Sequence, residues 1–194
     1  MREDRDLRRQ GGEPAETAAG LATGHLHVLL SEDAIRRRVA ELGARITEDY
    51  RGRDLVLVCL LKGAVVFHAD LCRAVGLPLR VEFLRAASYG AGTATSGRVR
   101  IDEVDGIELA GSDVVVVEDI VDSGLTLAAI LDWLRDRGAR SVEVCALLWK
   151  ERGVDHPFRV RYIGFRIEDR FVVGYGLDHA ELYRNLPYVG ILEP

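Results

Sequence analysis

The residues with the most chemical content lie in one run, Val114–Leu127, which reads VVVVEDIVDSGLTL. Glu118 and Asp119 close an apolar stretch, and Asp122, Ser123, Gly124, Leu125 and Thr126 turn into an amphipathic segment. Backbone N–H groups at a helix start, two hydroxyls and a glycine that permits close approach form a cradle for an anion such as phosphate. Three carboxylates beside that cradle would repel a phosphate unless a divalent cation or sugar hydroxyls engage them. The run therefore points to a ligand combining a phosphate, a diol and Mg²⁺. The plainer alternative is an acidic loop in which Asp122 or Ser123 merely caps the following helix.

A second signal comes from the cations. Of 26 basic residues only two are lysines, Lys62 and Lys150; arginine fills every other position. A lysine in such a chain marks a place suited to a compact point charge rather than a planar fork. Both follow apolar runs, 54–61 (DLVLVCLL) and 141–149 (SVEVCALLW).

The frame around these residues is ordinary. The chain has 194 residues, 48% hydrophobic and 29% charged, enough for one domain with a core. A net charge of −5 argues against broad nucleic-acid binding through a basic surface. No apolar run approaches the ~20 residues of a membrane span, and no signal-peptide stretch opens the chain, so a soluble, cytoplasmic protein is expected. Cys59, Cys72 and Cys145 sit in apolar stretches without metal-ligand spacing and read as buried thiols. His25 and His27 alternate along a short segment without partners for a metal.

Residues 1–24 are polar and aperiodic and read as a disordered tail, with one domain over 25–194. Ser31 caps a helix carrying Ile35, Val39, Leu42 and Ile46 to about Tyr50. Residues 54–61, 113–117 and 141–149 read as buried strands. Helices follow the first two, ending near Val75–Gly76 and at Arg137–Gly138. Leu79, Val81 and Phe83 alternate with charged residues, as in a strand with one wetter face. The Gly-rich 88–97 stretch reads as a mobile loop, and Asp105-Gly106 predicts a hairpin between 99–104 and 107–109. Short strands are expected near 160–165 and 171–175. Apolar strands alternating with amphipathic helices predict an α/β fold with a mostly parallel, doubly wound sheet, and ligands at the carboxyl ends of its strands.

The whole DSGLT-bearing run closely resembles the phosphoribosyl-diphosphate (PRPP) motif of the type I phosphoribosyltransferases. From about His25 to Leu192 the chain is similar to the bacterial hypoxanthine-guanine phosphoribosyltransferases. Lys62-Gly63 matches that family's diphosphate-binding loop, and Arg184 an arginine that contacts the diphosphate. Ser88 and Tyr89 match a flexible lid. Lys150 matches the lysine that bonds the oxygen at purine C6, while Phe171 and Val172 match the pair that stacks on the base and reads its edge. Asp178 matches a carboxylate near the purine and a metal.

The resemblance implies a small base-binding hood on the sheet. It makes Asp122 the general base, 122–126 the 5′-phosphate loop, and Glu118, Asp119 and Asp178 the Mg²⁺ and ribose ligands. It implies transfer from PRPP to hypoxanthine or guanine in purine salvage by a homo-oligomer, dimer or tetramer. Two alternatives stand beside it: a PRPP- or nucleotide-sensing regulator on the same fold, and a transferase preferring xanthine. The sequence departs from the family at Ser123, where Thr is common, and at Arg170, where Lys is frequent.

Overall fold

A computed structural model describes residues 25–88, 99–103, 106–151 and 156–193. The N-terminal tail and Tyr89 of the expected lid lie outside the described residues. The first strand, β1 (His25–Leu30), precedes helix α1 (Glu32–Asp49), whose first turn is closed by Ser31 accepting from the Ala34 N–H at 3.3 Å. Then come β2 (Leu55–Leu61), α2 (Val65–Ala74), β3 (Arg80–Ser88), β4 (Val99–Glu103) and β5 (Asp113–Val121). Helix α3 (Leu125–Asp136), β6 (Ser141–Lys150), β7 (Tyr162–Ile167), β8 (Val172–Val173) and β9 (Val189–Glu193) complete the order.

Six strands form one sheet in the order β4-β3-β2-β5-β6-β7, parallel except for β4. The apolar runs become its centre because both faces are covered. On one face Leu55, Leu57, Val115, Val117, Cys145 and Leu147 join a core with Ile35, Leu42, Phe67 and Leu71 of α1 and α2. On the other, Val56, Val58, Val114, Val116, Val144 and Ala146 pack with Ile130, Leu131 and Leu134 of α3. The alternation along each strand assigns successive residues to opposite layers, which is why these runs are continuous rather than amphipathic. A small antiparallel sheet, β1-β9-β8, stands apart.

Several expectations change. Of the expected hairpin, Val104 and Asp105 lie outside the described residues and 107–109 form no strand: β4 pairs with β3, and the Ile107 N–H donates to the Glu103 side chain at 3.2 Å. Helix α2 does end near Val75–Gly76, at extended Val75, and the Gly76 N–H donates to Thr47 Oγ1 at 2.9 Å. Strand β8 stops at Val173 because Gly174 and Tyr175 take positive φ, 94° and 51°. His25 and His27 lie on β1, paired with β9. Cys59, Cys72 and Cys145 are free thiols, and burial pushes Cys59 up to about 12. No described helix is long and apolar enough to cross a membrane.

The amino ends of the strands are tied by one buried carboxylate. Asp113 is fully buried at the start of β5 and accepts from Ser141 Oγ at 2.6 Å and Arg140 Nε at 3.1 Å. Arg140 therefore holds its carboxyl below the usual range, against the opposing effect of burial. Asp113→Asn is expected to lower unfolding stability by about 2 kcal/mol, the scale of hydrogen bonds to a charged group. Because the folded-state pKa is depressed, that difference should be complete above the ordinary Asp pKa of 3.8 and shrink as the pH falls below it. Urea denaturation of both proteins across that range measures it.

Candidate active site

The register of the sheet explains why the chemical residues meet. Val121 pairs with Trp149 across β5 and β6, so the next residue of each chain segment, Asp122 and Lys150, emerge side by side. Lys150 pairs with Ile167 across β6 and β7, which brings Asp169 alongside. The Lys150 ammonium donates to Asp169 Oδ1 at 3.0 Å and to Asp122 Oδ2 at 3.5 Å. Its side chain is only 12% exposed, against 41% for Asp122 and 44% for Asp169. Two carboxylates thus pair with a lysine that is mostly buried.

Next to this cluster a cleft of about 260 Å³ opens at the carboxyl ends of β2 and β5. Lys62, Gly63, Glu118, Asp119, Asp178 and Arg184 line it, with Thr126. Glu118 and Asp119 lie within β5 rather than beyond its end, so their carboxyls start from a strand buried in the sheet. Burial, followed by the charge of Asp119, pushes Glu118 well above the usual carboxylate range. Burial likewise raises Asp119 to about 6. Glu118 Oε2 is buried without a hydrogen-bond partner. A Cβ at Gly63 would come within 1.7 Å of Asp119 Oδ2, so any larger residue there would displace that carboxylate.

Helix α3 begins at Gly124, at φ 72°, with no side-chain cap bond and no acid in its first turn. The capping alternative for Asp122 or Ser123 is thereby excluded. The first-turn N–H groups of such a helix lack partners within it and form the positive end of its dipole. Leu125 is 67% exposed. Helix α2, after Lys62-Gly63, also starts without a side-chain cap or an early acid. By contrast α1 carries both Ser31 and the acids Glu32 and Asp33. The two helices starting at the cleft are the two left open to an anion.

Arg184 is fixed by Asp178 Oδ1 at 2.8 Å and by the Gly176 carbonyl at 2.8 Å, and its Nε is buried without a partner. The second Asp178 oxygen accepts from the Glu181 N–H at 2.9 Å. Lys62 Nζ donates to Glu181 Oε2 at 2.9 Å. Phe171 is 52% exposed and stands edge-on to His179, centroids 5.4 Å apart, while Val172 is buried in β8. Ser88 ends β3. Thus the expected diphosphate and carboxylate residues share one cleft, and Asp122 and Lys150 form a cluster beside it.

Sequence reasoning missed Asp169 and Glu181, whose proximity to Phe171 and Arg184 is the only local hint. It also missed His156 and Phe158, which pack so closely over Gly124 that a Cβ there would fall 2.7 and 2.8 Å from them.

A phosphoribosyl transferase domain family model matches residues 27–180. The chain is 46% identical over 187 residues to a protein named hypoxanthine-guanine phosphoribosyltransferase from Mycobacterium tuberculosis, covering 93% of each chain. The chain belongs to the hypoxanthine-guanine phosphoribosyltransferase family. The Bacillus subtilis member is 42% identical over 167 residues, 86% of this chain and 93% of the relative. A crystal structure of a Staphylococcus aureus hypoxanthine phosphoribosyltransferase superimposes with a TM-score of 0.82 at 42% identity, over 87% of this chain and 91% of that one. The type I phosphoribosyltransferase fold expected from the sequence is thus the one observed.

The unpartnered carboxylate yields a test without ligand. Glu118→Gln removes the like-charge contact with Asp119 and is expected to raise the stability of the ligand-free protein at pH 8 by about 1 kcal/mol. The raised folded-state pKa sets the sign: ionisation of Glu118 costs stability at high pH. The gain should therefore fade as the pH is lowered and Glu118 takes up its proton. Thermal unfolding of both proteins at several pH values reads it out.

Proposed function

We propose that this protein is a cytoplasmic purine-salvage enzyme that transfers the 5-phosphoribosyl group of PRPP to hypoxanthine or guanine, giving IMP or GMP and diphosphate. The observation that carries the reading is Lys150 beside Asp122, a cation suited to a carbonyl oxygen next to a carboxylate suited to a proton. The names of the relatives support the same reaction. In this reading 25–194 is the transferase domain and the assembly is a homo-oligomer, dimer or tetramer.

The backbone of 122–126 holds the 5′-phosphate at the open start of α3, with the Ser123 and Thr126 hydroxyls beside it. Glu118 and Asp119 take the ribose hydroxyls. These two anchors fix C1′ for attack by purine N9 and remove much of the orientational cost of the reaction. Lys62, the Lys62–Gly63 backbone and Arg184 face the diphosphate and stabilise the charge that builds on it as the C1′–O bond breaks. Phe171 offers an exposed ring face to the base, and the Val172 backbone reads its edge. Ser88 and Tyr89 belong to a lid that excludes water from the reacting centre.

Lys150 donates to the oxygen at C6. Adenine presents an amino group at that position, so a cation there selects 6-oxopurines. The same contact withdraws electron density from the ring and makes the N7 proton easier to remove. Asp122 takes that proton as N9 attacks. An ordinary carboxylate is a weak base for an azole proton, which is why the neighbouring lysine matters to the chemistry as well as to selection.

The residues fit Mg²⁺ through the buried, unpartnered Glu118 oxygen and the adjacent Asp119. Among the described residues no group of three or more His, Cys, Asp or Glu is arranged to hold a metal alone. Both oxygens of Asp178 already accept hydrogen bonds. PRPP oxygens and water would therefore complete the shell, as is usual for this ion. When bound, Mg²⁺ supplies positive charge that offsets the charge of the diphosphate.

A nucleotide sensor would use the 122–126 loop without needing a base-reading lysine beside Asp122, so the cluster favours the enzyme. A spectrophotometric assay with PRPP, Mg²⁺ and each of hypoxanthine, guanine, xanthine and adenine tests the reading. Turnover of the first two with adenine inert is expected; PRPP binding without consumption of any base would make the protein a sensor. Asp122→Asn should lower kcat at least about a hundredfold while PRPP still binds, the scale of a general base. Near-parental turnover would remove Asp122 from that role.

A further inference from the structure

We propose that Glu181 occupies the diphosphate's electrostatic place in the ligand-free protein and sets the affinity for PRPP and diphosphate by competing for Lys62 and Arg184. The inference rests on the reading of those two cations as the diphosphate site. One oxygen, Glu181 Oε2, accepts from Lys62 Nζ at 2.9 Å and lies 3.5 Å from Arg184 Nη2. These cations come from distant parts of the chain, the end of β2 and the segment before β9. A single carboxylate oxygen thus bridges them as a ligand oxygen would.

The segment bearing Glu181 is shaped to present it. Ala180, Glu181 and Tyr183 all take positive φ, 51°, 67° and 75°, a conformation L residues adopt rarely and at a cost. His179 and Leu182 close the turn by exchanging backbone hydrogen bonds at 3.2 and 3.0 Å, and Asp178 holds the Glu181 N–H. The contact is also exchangeable: the side chains of Lys62 and Glu181 are 57% and 65% exposed. Exposed pairs of this kind are weak enough for a multiply charged anion to displace them. Asp178, less exposed, keeps Arg184 in position when Glu181 leaves.

Magnesium diphosphate titrated into the full chain by calorimetry tests the idea directly. Glu181→Gln and Glu181→Ala should each bind it about two- to fivefold more tightly, as expected for release of exposed ion pairs. In the assay the PRPP KM should fall by a similar factor and the hypoxanthine KM stay unchanged. A general loosening of the fold would not split the two substrates. Unchanged or weaker diphosphate binding in either variant, or no binding by the parent, overturns the proposal; weaker binding would make Glu181 a residue that positions Lys62 productively. If the parent binds diphosphate but consumes no purine, the assigned reaction fails while the competition is still measured.

Discussion

The placement of Lys150 between Asp122 and Asp169 is the interaction on which the rest of the site depends. A cation 12% exposed needs paired acids, and here the acids come from the segments following β5 and β7, the two parallel strands that flank β6. The β5–β6 and β6–β7 registers leave little freedom in the matter, since a slip of one residue would turn every core side chain to the wrong face. The buried valines that fix the register thereby fix the distance between the Lys150 ammonium and the Asp122 carboxylate. Core packing and chemistry are set by one constraint.

The second half of the site is a balance of like charges. Glu118 and Asp119 are adjacent carboxyls half-buried at the cleft, and burial pushes both upward. Across the cleft stand Lys62 and Arg184, each already holding an acid. Such an arrangement is poorly satisfied by itself and well satisfied by a ligand carrying anionic groups, hydroxyls and a divalent cation together. The two uncapped helix starts, α2 and α3, point to the same conclusion from the backbone. The ligand implied by these features is the one implied by the DSGLT run.

Much of this was legible in the sequence, for identifiable reasons. Continuous apolar runs read as strands covered on both faces, and the 3- and 4-residue spacing of Ile35, Val39, Leu42 and Ile46 as an amphipathic helix, and both are observed. The rarity of lysine singled out Lys62 and Lys150 before any geometry was known. What escaped were features decided by long-range pairing. Asp105-Gly106 carries a local hairpin signal, but β4 found its partner in β3. The strand β1 has mostly exposed residues and exists because β9, more than 150 positions away, pairs with it. Asp169 and Glu181 carry no local signature beyond their closeness in sequence to Phe171 and Arg184; each becomes meaningful only when register or a strained turn brings it to a cation.

In the proposed mechanism Lys150 couples recognition of the C6 oxygen to removal of the N7 proton by Asp122. The most direct test is the ratio of kcat/KM for hypoxanthine to that for adenine in the parent and in Lys150→Met. The ratio is expected to fall by at least about tenfold, because the discriminating donor is lost while the 5′-phosphate and ribose anchors remain. A ratio that stays constant, with both values falling together, would contradict it and leave Lys150 as a structural cation.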